Sequence, residues 1–253
     1  MPLSLFALNL CWEEFLYYQT CPQKFRIHRL LNPVPDPSTF MTTRRPLKSY
    51  ALRGYSPQTL EGLEYHRFFE QFHRKYFPMI TNEQPPPEIL LDDVKHCYWL
   101  QQQKKYCELD AEYWFPRMTE VSLMTSHQRG RIDCLHYCPD KDGLRLTDYK
   151  PRPSPDDELS LLFYAQLVNS YRQENKYLEY EWIEMDVVEA SCYYYKVGRE
   201  RVVEVTEEKL TAVTQELEET LTHIADELFP FQTKRCWSCN YQPICQLEQI
   251  RRK

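Results

Sequence analysis

The segment Leu144-Arg-Leu-Thr-Asp-Tyr-Lys150 places an acid and an amine two residues apart in a run with strand character. Alternate side chains of a strand share a face, so Leu144, Leu146, Asp148 and Lys150 point the same way. Two leucines bury that face and bring Asp148 and Lys150 to the end of a buried row. Charges there are costly unless they are paired or hold a metal. A second acid, Asp133, closes Gly130-Arg-Ile-Asp133 on the preceding β-prone run, across a hairpin turn. Adjacent antiparallel strands bring its carboxylate within reach of Asp148. Two carboxylates and an ammonium at one spot make a Mg²⁺ or Mn²⁺ site with a cationic side chain beside it. The acid-x-Lys spacing alone carries little, because Glu174-Asn-Lys176 and Glu207-Glu-Lys209 repeat it as charges at helix ends or surfaces. The second acid adds to it, as does His66, at the edge of the apolar stripe of an upstream helix.

A second constellation lies near the end of the chain. Cys236-x2-Cys239-x5-Cys245 supplies three thiols in a short loop, and a closed site needs a fourth. Cys21, in Tyr-Tyr-Gln-Thr-Cys-Pro-Gln-Lys-Phe, is the best candidate because Cys21-Pro22 opens a helix. Zinc and a [4Fe–4S] cluster both accept four cysteines, and spacing does not separate them. The remaining cysteines are scattered singly and read as buried thiols.

The elements that must position these residues follow from periodicity. Helical stretches run from about Asn9 to Tyr18 and on through Leu31, with an interruption near Cys21-Pro22. Residues 32–57, with Pro33, Pro35, Pro37 and Pro46, form a long connection. Ser56-Pro57 caps and starts a helix, and residues 88–104 read as another. From Cys107 to Lys150 come short β-prone runs: Tyr113–Phe115, Met118–Thr125, Arg131–Tyr137 and Leu144–Lys150, with a turn at Pro139–Gly143. Ser154-Pro155-Asp156-Asp157 is a capping box for a helix to about Asn175. Strands at about Tyr180–Val188, Ser191–Val197 and Arg201–Val205 precede a long helix from a Thr206 cap, with apolar positions from Leu210 to Leu228. This order points to an α/β (α+β) fold around a central mixed sheet flanked by helices.

Composition narrows the function. The chain of 253 residues is 42% hydrophobic and 27% charged, enough apolar mass for a real core. It has only five glycines, too dispersed for a phosphate loop or a dinucleotide fingerprint, which argues against a nucleotide-driven motor or a Rossmann oxidoreductase. No apolar run approaches a membrane span, and the N-terminus lacks a basic flank and a cleavage site, so the expected location is cytoplasmic. The net charge is −6, but residues 1–60 carry +4, residues 156–229 carry −12 and residues 234–253 carry +4. Basic ends flank an acidic stretch.

In order, Gly62-x3-His66-x3-Glu70, Glu120, Gly130-Arg-Ile-Asp133, Asp148-Tyr-Lys150 and Gln166 resemble the RecB-like branch of the PD-(D/E)XK nucleases. The Cys21 phrase with the C-terminal cysteines resembles that branch's iron–sulfur subset, which includes helicase–nuclease subunits and CRISPR-associated exonucleases. The resemblance implies one restriction-endonuclease-like domain over residues 1–253, with residues 1–31 and 229–253 joined at the cluster. It implies that His66, Asp133, Asp148 and the Tyr149 carbonyl hold Mg²⁺ or Mn²⁺, that Lys150 assists the attacking water and steadies developing charge, and that Glu120 and Gln166 are auxiliary. Cys21, Cys236, Cys239 and Cys245 would bind a [4Fe–4S] cluster, with zinc as the alternative. The pattern departs at Ser170, which stands where the family has a tyrosine four places after its glutamine; Tyr171 is shifted by one, about 100° round a helix.

A cluster joining the two ends would bring Lys24, Arg26, Arg29, Lys234 and Arg235 to one surface able to hold a phosphate backbone. Tyr17, Tyr18, Trp237 and Tyr241 stand near enough to stack on unpaired bases or to pack around the cluster. The expected function is metal-dependent hydrolysis of DNA, single-stranded or with free ends, in repair or in CRISPR spacer processing, with a helicase or CRISPR-adaptation protein as a possible partner. The alternative is a non-catalytic DNA-binding or assembly module that keeps the fold and a four-cysteine site.

Overall fold

The computed structural model describes residues 9–32, 56–87, 92–175, 185–230, 236 and 239–251. Helices α1 (Trp12–Thr20) and α2 (Pro22–Leu31) are followed by α3 (Pro57–Thr81), α4 (Asp93–Glu108) and a single turn, α5 (Ala111–Trp114). Strands β1 (Met118–Met124), β2 (Arg129–Cys138) and β3 (Gly143–Lys150) come next. They lead into α6 (Asp157–Glu174), β4 (Val187–Tyr194), β5 (Arg199–Glu204), α7 (Glu207–Ala225) and α8 (Gln242–Arg251). The five strands form one mixed sheet in sequence order, antiparallel except for the parallel pair β3–β4. A parallel neighbour needs a crossover, and α6 supplies it. The architecture is α+β and consistent with a restriction-endonuclease-like fold. No helix among the described residues is long and apolar enough to cross a membrane.

Helices cover both faces of the sheet. On one, α6 lays Leu161, Ala165 and Val168 against Ile132, Leu144 and Leu146. On the other, Tyr65, Phe69, Phe72, Tyr76 and Ile80 recur at helical spacing along α3 and pack with Tyr98, Trp99 and Trp114 on Tyr149 and Tyr193. A third core joins Phe15 and Phe25 of α1 and α2 to Phe163 and to Leu217, Leu221 and Ile224 of α7. A buried triad fixes this N-terminal pair to the sheet: Glu14 forms an ion pair with Arg29, Nε–Oε1 2.9 Å, and accepts a hydrogen bond from Arg129 Nη2, at the start of β2, at 2.8 Å.

Several local expectations are met. Ser56 caps α3 by accepting from the Thr59 N–H, and Thr206 caps α7 through Lys209. The β2–β3 turn is a short 3₁₀ segment ending at Asp142, whose φ of 47° is left-handed. Others are corrected. Tyr113–Phe115 is not extended: Tyr113 and Trp114 belong to α5, where Trp114 is buried and donates Nε1–H to the Gln102 carbonyl at 3.0 Å. Packing there overrides the strand preference of aromatic residues. Among the described residues the runs after α6 give two strands, β4 and β5: Ser191 continues β4 rather than opening a new strand, and the turn falls later, at Gly198 with φ of 60°. Leu228 lies beyond α7 and is exposed. Residues 33–55, 88–91 and 180–184, part of the regions read as loop, helix and strand, lie outside the described residues.

The aromatic core also holds an acid-sensitive element. His73 is buried, its Nε2 is 3.3 Å from Gln102 Oε1 and its ring lies 4.5 Å from that of Trp114. Burial, with some help from Lys105, lowers its pKa to about 3. The unfolded chain takes up a proton near pH 6.5 that the folded chain refuses, so this stabilisation is present above pH 6.5 and is lost as the pH falls toward 3. His73 alone should cost about 2 kcal/mol of stability between pH 7 and pH 5. Denaturant midpoints of the wild type and of His73→Gln at the two pH values check this: the variant should show the shallower decline, and parallel declines would refute it.

Candidate active site

The ladder between β2 and β3 runs from Cys138–Gly143 to Cys134–Thr147 and stops one step before Asp133 and Asp148. There Asp133 turns its own carboxylate to the neighbouring strand and accepts the Tyr149 N–H on Oδ2 at 2.8 Å. That leaves Oδ1 facing His66 Nδ1 at 3.3 Å. Asp148 is hydrogen-bonded to Asp133, and burial together with the Asp133 charge pushes its pKa up to about 7. Asp133 moves the other way. Burial opposes its charge, but His66 and the Tyr149 N–H outweigh that and hold it below the ordinary carboxylate range.

Glu120 reaches the same point from β1 through an unusual backbone. Its neighbours Thr119 and Val121 pair regularly with Cys134 and Ile132, so no residue is inserted. Its φ is 55°, left-handed, in the middle of a strand. The alternation changes phase at this step: Met118 and Leu123, five apart, both join the α6-side core, as do Ile132 and Leu135, three apart. In a regular strand an odd separation puts residues on opposite faces. The turned carboxylate is 3.5 Å from His66 Nδ1 and forms an ion pair with Arg131, Nε–Oε2 2.8 Å. His66, one residue past Tyr65 on the buried stripe of α3, is thereby held between two acids. Burial works against its charge, yet Asp133 and Glu120 raise its pKa well above the ordinary value. The ligand atoms of His66, Glu120 and Asp133 all lie within 4.8 Å of one another, a nitrogen-and-oxygen set that suits a hard divalent cation.

Lys150 sits at the end of the same β3 row. Its Nζ is 3.2 Å from Asp148 Oδ2, 2.8 Å from Asp157 Oδ1 and 3.0 Å from Ser160 Oγ. Burial would lower its pKa, but the acids win and hold it above lysine's ordinary range. Gly130 explains how α6 comes so near. A Cβ there would lie 2.8 Å from Tyr164 and 2.9 Å from Leu167, so glycine lets the helix seat on β2 without displacing either side chain.

The structure brings His66, Glu120, Asp133, Asp148, the Tyr149 backbone and Lys150 together. Gln166 is not with them. Asp157 and Ser160 mark the α6 face that meets the cluster, and Tyr164, one turn further, feels the charges of Asp148 and Asp133. Gln166 falls about 200° from Tyr164 round the helix, and its amide donates to Ser170 at 3.1 Å. Asp157 was missed: read as part of a cap, it is wholly buried beside Lys150. Glu70 lines a surface cleft with Arg74 and Thr119.

At the other constellation, Cys21 is the N-cap of α2 and Cys239 N–H donates to the Cys236 carbonyl at 3.2 Å. Cys245 lies in α8, which packs on α2, with the Tyr241 hydroxyl 2.9 Å from His28 Nδ1. Pro243, beside the first position of α8, is a usual helix start signal. Of the basic residues expected on this surface, Arg29 is instead committed to Glu14 and Lys24 lies over the Tyr17 ring. Tyr18 is buried and donates to the Leu228 carbonyl. Lys234, Arg235 and Trp237 lie outside the described residues.

The left-handed backbone of Glu120 yields a test. A side chain in that region costs on the order of 1 kcal/mol or more, whereas glycine adopts it freely. Glu120→Gly should therefore melt higher than Glu120→Ala, reversing the usual preference for alanine within a strand. Both variants should lose metal affinity by roughly tenfold or more. Thermal melts and metal titrations of the pair check this; an alanine variant more stable than the glycine variant would contradict it.

A family model described as the PD-(D/E)XK nuclease superfamily matches residues 14–246. No curated protein matches the sequence. The matched span holds the whole sheet and every residue of the carboxylate–histidine–lysine cluster. The chain belongs to the PD-(D/E)XK nuclease superfamily.

Proposed function

We propose that the protein is a Mg²⁺- or Mn²⁺-dependent deoxyribonuclease of the RecB-like kind, acting on single-stranded DNA or free ends. The observation that carries this reading is the convergence of His66, Glu120 and Asp133 beside the Asp148–Lys150 pair. His66, Glu120, Asp133 and Asp148, with the Tyr149 carbonyl, would hold the cation, whose chemistry there would be Lewis-acid polarisation of the scissile phosphate and a lowered pKa for water. The chain's own groups do the rest. Asp133 is anchored on Oδ2 by the Tyr149 N–H and so presents Oδ1 in a fixed direction. Lys150 is held protonated, so it serves as a hydrogen-bond donor and fixed positive charge toward the phosphate oxygens as their charge grows. Arg131 restrains Glu120 and is itself partly exposed, where a phosphate backbone can reach it.

The four-cysteine site is the second part of the proposal. Cys21 caps α2 and Cys245 lies in α8, which packs on α2, and an all-thiol donor set suits a [4Fe–4S] cluster or zinc. We assign Cys21 rather than Cys11 as the N-terminal ligand. Burial and Glu14 push the Cys11 thiol up to about 12, which disfavours a thiolate. Cys21 is instead the N-cap of α2, the helix on which α8 and its Cys245 pack.

Two experiments test these assignments. Lys150→Ala should lower Mn²⁺-dependent cleavage of end-labelled single-stranded DNA by about 10²-fold or more while leaving metal binding intact, and Asp148→Ala should lose both. Cleavage at the wild-type rate by the Lys150 variant would remove the assignment. Protein prepared without air should be brown, with about four irons per chain and a broad band near ~400 nm. Cys21→Ser should lose most of that iron and much of the stability gained by closing so long a loop, about 4–5 kcal/mol by analogy with a disulfide. Cys11→Ser should keep its iron. Colourless protein with one zinc would select the zinc site, and reversed behaviour of the two variants would reject Cys21.

A further inference from the structure

Asp157 is wholly buried at the first position of α6, and a carboxylate there is tolerable only if its charge and lone pairs are matched. Every match is present. Oδ1 accepts from Lys150 Nζ at 2.8 Å, and Oδ2 accepts from the Ser154 N–H at 2.7 Å and from the Tyr194 hydroxyl at 2.8 Å. Tyr194 is the register partner of Lys150 across the parallel β3–β4 pair. One carboxylate thus ties together the last residue of β3, the last residue of β4 and the helix that connects them.

The arrangement divides the work of the Lys150 ammonium. An ammonium has three N–H donors and no acceptor. Three acceptors surround this one: Asp157 Oδ1 at 2.8 Å, Ser160 Oγ at 3.0 Å and Asp148 Oδ2 at 3.2 Å. The two shorter contacts come from positions one turn apart on α6 and are buried. The longest points to Asp148, at the carboxylate cluster. Lysine's four-carbon stem is flexible and would otherwise sample many positions. Two fixed acceptors on a rigid helix remove that freedom and leave one N–H directed at the reacting centre.

We propose that Asp157, assisted by Ser160, is a positioning residue that aims the Lys150 ammonium, an inference that rests on the reading of Lys150 as the charge-stabilising group. Asp157 does not touch substrate or metal. Its effect should appear in kcat through Lys150, while substrate and metal affinity stay as they are. The bland role for the same residue is a helix-start acid in a buried ion pair, which supports folding and nothing more.

The test uses full-length protein prepared without air, Mn²⁺ and end-labelled single-stranded DNA. Asp157→Asn keeps the shape and removes the charge; kcat should fall by about 10²-fold, the effect expected of a misplaced catalytic group. KM and Mn²⁺ affinity should stay within about twofold of wild type. Tyr194→Phe removes a different hydrogen bond from the same carboxylate, so it should lower the melting temperature but keep kcat. In a Lys150→Ala background Asp157→Asn should lower the residual rate no further, as expected of two residues acting as a unit. If Asp157→Asn does not fold, Ser160→Ala carries the test, with kcat reduced about tenfold at near wild-type KM. Asp157→Asn, or in its place Ser160→Ala, with wild-type kcat, or with kcat loss that follows Mn²⁺ affinity, would overturn the proposal. Failure of the underlying reading looks different: Lys150→Ala itself would then cleave normally.

Discussion

Negative charge is concentrated at one end of the sheet, and the fold around it is arranged to offset that charge. Glu120, Asp133, Asp148 and Asp157 arrive from four elements within a few ångströms, where neighbouring like charges repel by about 4 kcal/mol at a partly screened 4 Å. Three cationic groups from three elements answer them: His66 from α3, Arg131 from β2 and Lys150 from β3. The pairings sort the acids. Asp157 is fully matched, Glu120 is held by Arg131 and His66, and Asp133 has a backbone N–H and His66. Asp148 has the longest of the Lys150 contacts and a hydrogen bond shared with Asp133, and is pushed up to about 7, chiefly by burial and by Asp133. The centre still favours additional positive charge, which is what a divalent cation brings.

That balance depends on elements far from it. The aromatic stripe of α3 fixes the side of the sheet on which His66 lands, with Phe69 stacked on the Tyr149 ring at 4.4 Å between centroids. Tyr149 therefore serves two faces: its ring anchors the aromatic core and its N–H anchors Asp133. On the other face, Gly130 admits α6, and α6 carries the partners of Lys150. The Glu14 triad holds α1 and α2 to the start of β2, four residues before Asp133. The cysteine segments and the carboxylate cluster thus hang on a common frame.

The parts of the site that obey a simple period were legible. Leu144, Leu146, Asp148 and Lys150 do share one face, and His66 does lie at the edge of its stripe. Glu120 lay in a stretch read as an ordinary strand, and only the resemblance to a known family singled it out. A left-handed glutamate that shifts the alternation leaves no local signal, since neither glycine nor proline marks it. Asp157 was hidden by a plausible local role: an acid at a helix start reads as a cap, and its contact with Lys150 depends on how the helix folds back. Gln166 was expected at the site by motif order, but helical geometry carries it elsewhere. The aromatic run at Tyr113–Phe115 follows the same lesson, because burial of Trp114 overrides its preference for a strand.

The central claim is that these side chains form a divalent-metal site. Anomalous scattering from crystals of the protein grown with Mn²⁺ tests it most directly. The account predicts a Mn²⁺ peak bounded by His66, Glu120 and Asp133, with Asp148 and Lys150 beside it, and no such peak in crystals of Asp133→Asn. A Mn²⁺ peak confined to other residues, or an empty cluster at Mn²⁺ concentrations that support cleavage, would contradict it.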